Sequence, residues 1–530
     1  MGIFANPLTD LLEYEDFSRD FLKGTDPVGM TGCIDSEKVH FISTFLGEKK
    51  VQLVVTYNEQ RAREIEEDYK LFCSQVYVIP PRDLIFFSAD LQGNAIIAER
   101  MKAFAALYQN EAKVIITTMD ALMSAAVPFE QLMSHVIKLK EGDELDLEKL
   151  KHDLTVMGYE RVGRVEEPGQ FTVHGGIADV YPLTMEVPVR IELWGDEIDT
   201  IRCFEPQSQR SMDQIECVSV FPAAEVIADD TARRRAVGMI QNELESQLAV
   251  FKKAKEPDKA KRLREETNRI LEALGEDVVL EAPDSYISYF YPRTVQLSEY
   301  FDEKNTLVFL DEPMRLKERG DGVQAEFEES MKNRLEQGFL LPGQTALLTP
   351  AKHVLAAFER GQVAALSSLD SRLADFTVVN SYAVNVQNMN TYREGFELLI
   401  KDLTHWKKEK YRIVLLCPSR TRANRIVNQL IEYDLLAYYS EDEDKKINPG
   451  EIMVTYGNLH RGFLYPMLKF AVITESDIFG VKKKKKEKKS HYQGQRISDF
   501  AQLKPGDYVV HENYGLGIYR GTERQIVDKV

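Results

Sequence analysis

The sequence predicts an α/β fold in which a parallel sheet is interrupted by a small β-rich domain. Apolar runs of strand length occur at 51–56, 76–79 and 114–117, and amphipathic helical patterns separate them. Between 159 and 221, short alternating strands broken by Gly and Pro replace this pattern. After this segment, another apolar run of strand length at 307–310 resumes the pattern of buried strands. We therefore expect crossover helices on a parallel sheet that is completed after the insertion.

Composition limits the possible functions. The 530 residues include 67 Lys and Arg against 85 Asp and Glu, for a formal charge of −18. Because phosphate binding depends on clustered cations, nucleic-acid contact is expected only from a local patch or from a part outside this chain. The five cysteines form no C-x-x-C pair, so neither a zinc site nor a disulfide framework is expected. The sequence shows no signal peptide and no membrane span, which predicts a cytoplasmic location without a membrane partner.

The first part of the α/β domain, residues 1–135, contains a candidate phosphate loop at Gly29 and Gly32. A working P-loop reads G-x-x-x-x-G-K-[ST], in which the Lys contacts the β- and γ-phosphates and the hydroxyl binds Mg²⁺. Here Lys38 comes too late, and Asp35 and Glu37 would repel phosphate at a helix N-terminus. The motif by itself leaves two alternatives open, an ordinary glycine turn and a degenerate phosphate loop. An active nucleotide site is not expected.

The inserted β-rich domain is predicted to cover 136–218. Gly195-Asp196 between two alternating runs is typical of a two-residue hairpin turn. In the run 189–194, Val189, Ile191 and Leu193 share one face of a strand, whereas Arg190, Glu192 and Trp194 share the other. If the first set is buried, Arg190 and Trp194 stand exposed about 13 Å apart. An exposed Trp near an Arg is the composition of an interface hot spot; the alternative is a Trp that covers a small core.

The α/β domain is predicted to continue over 219–372. A long charged helical stretch runs from Asp229 to about residue 274 and is broken near Pro257. The strand at 307–310 ends in Asp311 and Glu312, the pattern of a Walker B strand whose carboxylates hold Mg²⁺. Taken alone this pattern is weak, since buried strands often end in acidic residues. With the glycine loop it indicates a helicase-like, P-loop NTPase-like fold that has lost its nucleotide.

Three further segments follow. Strand candidates at 376–379, 413–417, 452–456 and 470–474 predict a second, smaller α/β domain over 373–480. A lysine-rich linker is predicted at 481–496, where DNA contact is the alternative to a solvated charge run. The tail, 497–530, is predicted to be a β domain with strands at 508–511, 516–520 and 522–527. Since a small barrel usually has about five strands, this Tudor- or SH3-like domain is expected to be incomplete.

Two motifs carry a resemblance to known families. Residues 170–182 (QFTVHGGIADVYP), 189–199 (VRIELWGDEID) and 204–206 (FEP) resemble the UvrA-binding insert of the excision-repair protein UvrB. Residues 504–519 (KPGDYVVHENYGLGIY) resemble the RNA-polymerase-interacting domain of the transcription-repair coupling factors. A UvrB-like module followed by this tail is the order found in that family. The span from 80 to 97 leaves no room for the DNA-gripping β-hairpin of UvrB.

The resemblance implies a scaffold that couples stalled RNA polymerase to nucleotide excision repair and has no catalytic site. It implies UvrA binding by Arg190, Trp194 and His174, the last standing where the family commonly has Arg. It also implies contact with the polymerase β subunit by six residues of the tail: Tyr519, Arg520, Thr522, Glu523, Arg524 and Ile526. No cofactor is expected here, because the family's ATP- and Mg-dependent translocase motor, with most of its DNA contacts, is expected after Val530. The alternatives are an active NTPase or helicase half and a UvrB-like damage-binding module.

Overall fold

The computed structural model describes residues 4, 7–82, 94–275, 283–370, 376–392, 395–442, 445–480, 508–511 and 515–518. Within these ranges no helix is long and apolar enough to cross a membrane. The same ranges contain no group of three or more His, Cys, Asp or Glu side chains placed to hold a metal ion.

The chain begins with alternating helices and strands. These elements are α1 (Leu12–Lys23), β1 (Val28–Thr31), α2 (Asp35–Ser43), β2 (Val51–Thr56), α3 (Glu59–Tyr69), β3 (Val76–Ile79), α4 (Asn94–Tyr108), β4 (Val114–Thr118), α5 (Met119–Met123), β5 (Ala125–Ala126) and α6 (Phe129–Met133).

The predicted insertion follows and is mostly β-structure. Its elements are β6 (Ile137–Lys140), α7 (Leu147–Val156), β7 (Glu160–Arg161), β8 (Gln170–His174), β9 (Ile177–Val180), β10 (Val189–Trp194), β11 (Glu197–Phe204), β12 (Ser211–Gln214) and β13 (Cys217–Val220).

Helices dominate the next segment. It comprises α8 (Asp230–Ala254), α9 (Pro257–Gly275), α10 (Ile287–Phe290), β14 (Val295–Gln296), β15 (Thr306–Asp311), α11 (Pro313–Glu336), α12 (Ala351–Ala356), β16 (Val363–Ser367) and β17 (Asn380–Ala383). The predicted break at Pro257 is confirmed, and the side chain of Asp229 caps α8 by accepting from the backbone N–H of Ala232.

The last segment forms the smaller α/β unit and a hairpin. Its elements are β18 (Gln387–Asn388), α13 (Phe396–Lys408), β19 (Arg412–Cys417), α14 (Arg420–Glu432), β20 (Ala437–Tyr439), β21 (Ile452–Tyr456), β22 (Phe463–Tyr465), β23 (Phe470–Thr474), α15 (Glu475–Phe479), β24 (Tyr508–His511) and β25 (Gly515–Ile518). Strands β24 and β25 pair antiparallel. The other predicted parts of the tail lie outside the described residues.

A seven-stranded parallel sheet, in the order β17-β1-β16-β15-β2-β4-β3, confirms the predicted parallel sheet. Strands from both sides of the insertion are interleaved in it, because β1 lies between β17 and β16, and β15 pairs with β2. The strand expected at 376–379 is wrong: it is found at Asn380–Ala383 instead, where it pairs with β1 at the edge of this first sheet. A local apolar pattern indicates that a strand forms, but its partner is selected by tertiary packing.

The insertion contains a six-stranded sheet in the order β12-β11-β10-β9-β8-β7. The predicted turn at Gly195-Asp196 joins β10 to β11, and Gly195 has a φ of +67° that suits glycine. Alternate residues such as Val189 and Ile191 are fully buried in a core that also contains Leu154 of α7. One face of this sheet is therefore covered, and the other carries the polar residues of each strand.

The two α/β units share one hydrophobic core. In β19, Ile413 and Leu415 pack in a core with α13 and α14, whereas Val414 and Leu416 belong to a second core. This second core also contains apolar side chains of α2 and α3 and one face of the first sheet. Helices α2 and α3 thus lie between the two sheets, so that separating the two units would expose apolar surface.

Candidate functional site

The glycine loop leads directly from β1 into α2. Gly32 has a φ of +81°, and a Cβ placed there would lie 2.0 Å from the carbonyl oxygen of Val384. Any other residue would clash at this turn. Counted from Gly29, which lies within β1, the P-loop pattern places Asp35 where the lysine belongs. The loop has the shape of a strand-to-helix phosphate turn. It carries the negative charge of Asp35 at the position where a P-loop carries the positive charge of lysine.

Lys38, which follows the loop by one helical turn, occupies the position opposite the Walker B-like carboxylates. Its Nζ donates to Asp311 Oδ1 at 2.7 Å and to Glu312 Oε1 at 2.6 Å. The side chains of Lys38 and Asp311 are only 6% and 3% exposed. The prediction that Lys38 comes too late to serve as a P-loop lysine stays a prediction, but its ammonium does reach the carboxylates. Sequence reasoning missed this pair; the available signal was a Lys one turn beyond the loop.

Asp311 ends strand β15 and has three polar partners besides the backbone. Thr56, the last residue of β2, donates its hydroxyl to Asp311 Oδ2 at 2.8 Å, and Arg61 Nε approaches the same oxygen at 3.4 Å. Burial by itself would raise the pKa of Asp311, but Lys38 and Arg61 outweigh burial and lower this pKa to about 2. Asp311 is therefore a carboxylate whose charge is already neutralised by side chains of the protein.

A small cavity borders the Lys38–Asp311 pair. The cavity bounded by Lys38, Arg61 and Asp311 has a volume of about 10 Å³, and apolar side chains of the sheet close its other sides. That volume suits at most one water molecule. Glu312, with a φ of +56°, also accepts the backbone N–H of Ser368, so it too has protein partners. The carboxylates at the end of β15 therefore already have partners within the protein.

The opposite side of α2 contacts the smaller α/β unit through buried polar groups. Glu37 accepts from the hydroxyl of Tyr465 at 2.7 Å and from the backbone N–H of Ile34 at 3.1 Å. Burial raises the pKa of Glu37 to about 7 despite these two donors. The hydroxyl of Tyr465 lies 3.1 Å from His40 Nδ1, and burial lowers the pKa of that imidazole to about 4. Helix α2 therefore links both units through polar contacts that the sequence pattern did not predict.

The outer face of the inserted sheet brings together the three residues expected to bind a partner. Ile177 pairs with His174 on β8 and with Glu192 on β10, and Trp194 follows Glu192 on the same face of the strand. Trp194 is 85% exposed and Ile177 is 40% exposed, whereas His174 is exposed beside them at the turn. This outer face, with a large exposed aromatic side chain among polar residues, has the composition of an interface.

Arg190 lies on this face but is held by its neighbours. It donates from Nε and Nη2 to the two carboxylate oxygens of Asp179 at 2.8 and 2.7 Å, and its guanidinium lies 4.8 Å from the ring centre of Phe204. Its side chain is 21% exposed, less than the strand alternation suggested. The bidentate pair fixes the guanidinium in one orientation. The six tail residues expected to bind RNA polymerase lie outside the described residues.

Taken together, the fold and these sites define a class of protein: an α/β protein with a parallel sheet and an inserted β-rich domain, in which a lysine pairs with the carboxylates at the end of a central strand. Three family models match parts of the chain. Residues 137–225 match the UvrB interaction domain, 405–478 match the MFD D3 domain, and 503–530 match the CarD-like/TRCF RID domain.

Over nearly its whole length the chain is similar to transcription-repair-coupling factors, which confirms the resemblance found in the sequence. It is 29% identical over 525 residues to the factor from Bacillus subtilis, covering 98% of this chain and 44% of that protein. It is 28% identical over 529 residues to the factor from Staphylococcus epidermidis, with the same two coverages. The chain thus spans less than half the length of the curated relatives it matches.

A solved structure of a hypothetical ATP-dependent RNA helicase from Sulfolobus tokodaii covers 84% of this chain and 82% of its own, at 9% identity. The TM-score of this comparison is 0.20.

Proposed function

We propose that this chain acts as a scaffold in transcription-coupled DNA repair. Its inserted domain recruits UvrA, its tail contacts the β subunit of RNA polymerase, and its own phosphate loop does not turn over ATP. The ATP-driven translocation implied for the family is assigned to no residue of this chain.

One observation carries the recruitment role. Trp194 is 85% exposed at the end of strand β10, in the segment that matches a UvrB interaction domain. Aromatic side chains dominate interface energetics when a partner covers them, and an exposed Trp on a monomer costs solubility. The bidentate contact with Asp179 pre-orients Arg190 on the same face, so little side-chain entropy is lost when a partner binds.

The competing function, an active NTPase or helicase half, requires a lysine and a hydroxyl that contact phosphate and Mg²⁺. Asp35 stands at the lysine position, and Lys38 already neutralises Asp311 and Glu312. The charged groups of this position, Lys38, Asp311 and Glu312, therefore pair with one another within the protein. The other alternative, a UvrB-like damage-binding module, depends on residues 83–93, which lie outside the described residues.

The proposal is tested by affinity capture of the full chain with purified UvrA and, separately, with RNA polymerase core enzyme. Three versions are compared: the unchanged chain, Trp194→Ala and a version without 503–530. We expect the Trp194→Ala chain to capture RNA polymerase but not UvrA. The version without 503–530 should capture UvrA but not RNA polymerase. Capture of neither partner by the unchanged chain would contradict the proposed scaffold.

A further inference from the structure

The helical hairpin formed by α8 and α9 has a charge opposite to that of the whole protein. Its tip, residues 252–264, contains seven Lys or Arg and two carboxylates, a net charge of +5 in a chain of net charge −18. Because the chain as a whole is acidic, a nucleic-acid contact has to come from a local cluster of cations, and this tip is such a cluster.

The turn between the helices brings four of these cations to one groove. Lys252 and Lys255 come from the end of α8, whereas Lys261 and Arg264 come from the first turns of α9. The groove has a volume of about 540 Å³, and its floor includes the buried ring of Phe251. Lys255 itself adopts the left-handed conformation, with a φ of +59°, that reverses the chain here.

The carboxylates near the groove neutralise only part of this charge. Glu256 pairs with Lys259 at 2.8 Å, and Glu265 lies 3.8 Å from Lys261. Within the described part of the chain, no carboxylate oxygen lies within 4.0 Å of the charged nitrogens of Lys252, Lys255 or Arg264. All three side chains belong to exposed residues. Gathering like charges costs electrostatic energy, which an anionic partner would offset.

We propose that this groove, defined by Lys252, Lys255, Lys261 and Arg264, is a docking site for the phosphodiester backbone of duplex DNA. These are exposed cations at a helical tip, and three of the four lie without a carboxylate partner among the described residues. Such cations suit successive phosphates of a backbone and carry no information about sequence. The site goes beyond the proposed scaffold function, because that function assigns contacts only to protein partners. It would hold DNA beside the protein independently of the inserted domain.

The test measures binding of the full chain to a short fluorescein-labelled DNA duplex by anisotropy, over salt concentrations between about 50 and 200 mM. The test variant is Lys252→Gln/Lys255→Gln/Arg264→Gln. The control, Lys149→Gln/Lys352→Gln/Lys401→Gln, removes three exposed charges from α7, α12 and α13. We expect the test variant to lose at least about tenfold in affinity and the salt slope to fall by about three. The control should match the unchanged chain.

Both sets of substitutions are also made in a background in which the lysines of 482–489 are replaced by Gln. If the test variant loses as much DNA affinity in that background as in the unchanged chain, the groove binds DNA independently of the lysines of 482–489. Equal losses in test and control variants, unchanged affinity in the test variant, or no DNA binding by the unchanged chain would overturn the proposal. Retention of the chain on an acidic peptide without DNA binding would overturn it in favour of a protein partner.

Discussion

The ammonium of Lys38 lies 2.7 Å from Asp311 Oδ1, although the two residues are separated by 273 positions in the sequence. The pair joins the helix after the glycine loop to the end of a central strand. In a nucleotide-binding fold, these two elements face each other across phosphate and Mg²⁺. Here Lys38 contacts the carboxylate directly. Four predictions follow from this pair, from the other contacts of α2 and from the outer face of the inserted sheet.

The first prediction concerns stability. Lys38→Met removes the cation that contacts both the buried Asp311 and the partly buried Glu312, so we expect a loss of about 3–5 kcal/mol in the free energy of unfolding. Urea denaturation measures it. The matched control is Lys70→Met, because Lys70 also pairs with a carboxylate, Glu66, but with 55% of its side chain exposed. That control should cost less than about 1 kcal/mol. A Lys38→Met protein as stable as the control would contradict the structural role of the pair.

The second prediction concerns ATP. Lys38 already pairs with Asp311 and Glu312, and Asp35 presents negative charge where the P-loop lysine belongs. Titration calorimetry with Mg²⁺ present is therefore expected to show no binding of ATP. A working P-loop protein serves as the positive control in the same buffer. Binding in the micromolar range would refute the interpretation that the protein's own side chains replace nucleotide.

The third prediction concerns pH. Burial raises the pKa of Glu37 to about 7 in the folded protein, from an ordinary value of 4.5. The protonated form is therefore favoured by folding, and its contribution to stability is full below pH 4.5 and is lost as the pH rises through 7. Glu37→Gln keeps a neutral side chain that can bond to Tyr465 and to the backbone of Ile34.

Relative to the unchanged protein, Glu37→Gln should therefore gain stability as the pH rises from 5.5 to 8.5, by about 2 kcal/mol. Thermal unfolding of both proteins at several pH values measures the difference. Taking that difference cancels the other titrating groups, including His40. The control is Glu48→Gln, at an exposed position, for which the difference should stay constant with pH. A constant difference for Glu37→Gln as well would show that this carboxyl titrates normally.

The fourth prediction concerns the outer face of the inserted sheet. Truncating a central anchor typically costs about 2 kcal/mol, so Trp194→Ala should weaken UvrA binding roughly thirtyfold. Because Trp194 is 85% exposed, its removal should leave the melting temperature unchanged. Arg190→Ala should weaken binding and also lower stability, since it leaves Asp179, a buried residue, without its guanidinium.

Binding is measured by surface plasmon resonance against immobilised UvrA. Leu436→Ala is the control, because it removes an equally exposed apolar side chain, 74% exposed, from the smaller α/β unit. It should bind UvrA as the unchanged chain does. Unchanged affinity in both Trp194→Ala and Arg190→Ala would remove this face from the proposed interface.

Several elements could be predicted because their causes are local. Apolar runs of four to six residues marked β2, β4 and β15, and Pro257 marked the boundary between α8 and α9. Alternation along β10 correctly assigned Trp194 to the outer face. It did not predict the limited exposure of Arg190, because its two bonds to Asp179 join different strands and depend on their register.

The sequence by itself determined the succession of helices and strands, the inserted β-rich segment and the presence of Asp35 where a P-loop has lysine, since each depends on residues close in the chain. Only the tertiary structure decided that Lys38 meets Asp311, that Glu37 meets Tyr465 and that Asn380–Ala383 joins the first sheet. These contacts arise when distant segments are packed around α2. Burial then gives their charges and hydrogen bonds an energy that they would not have in water.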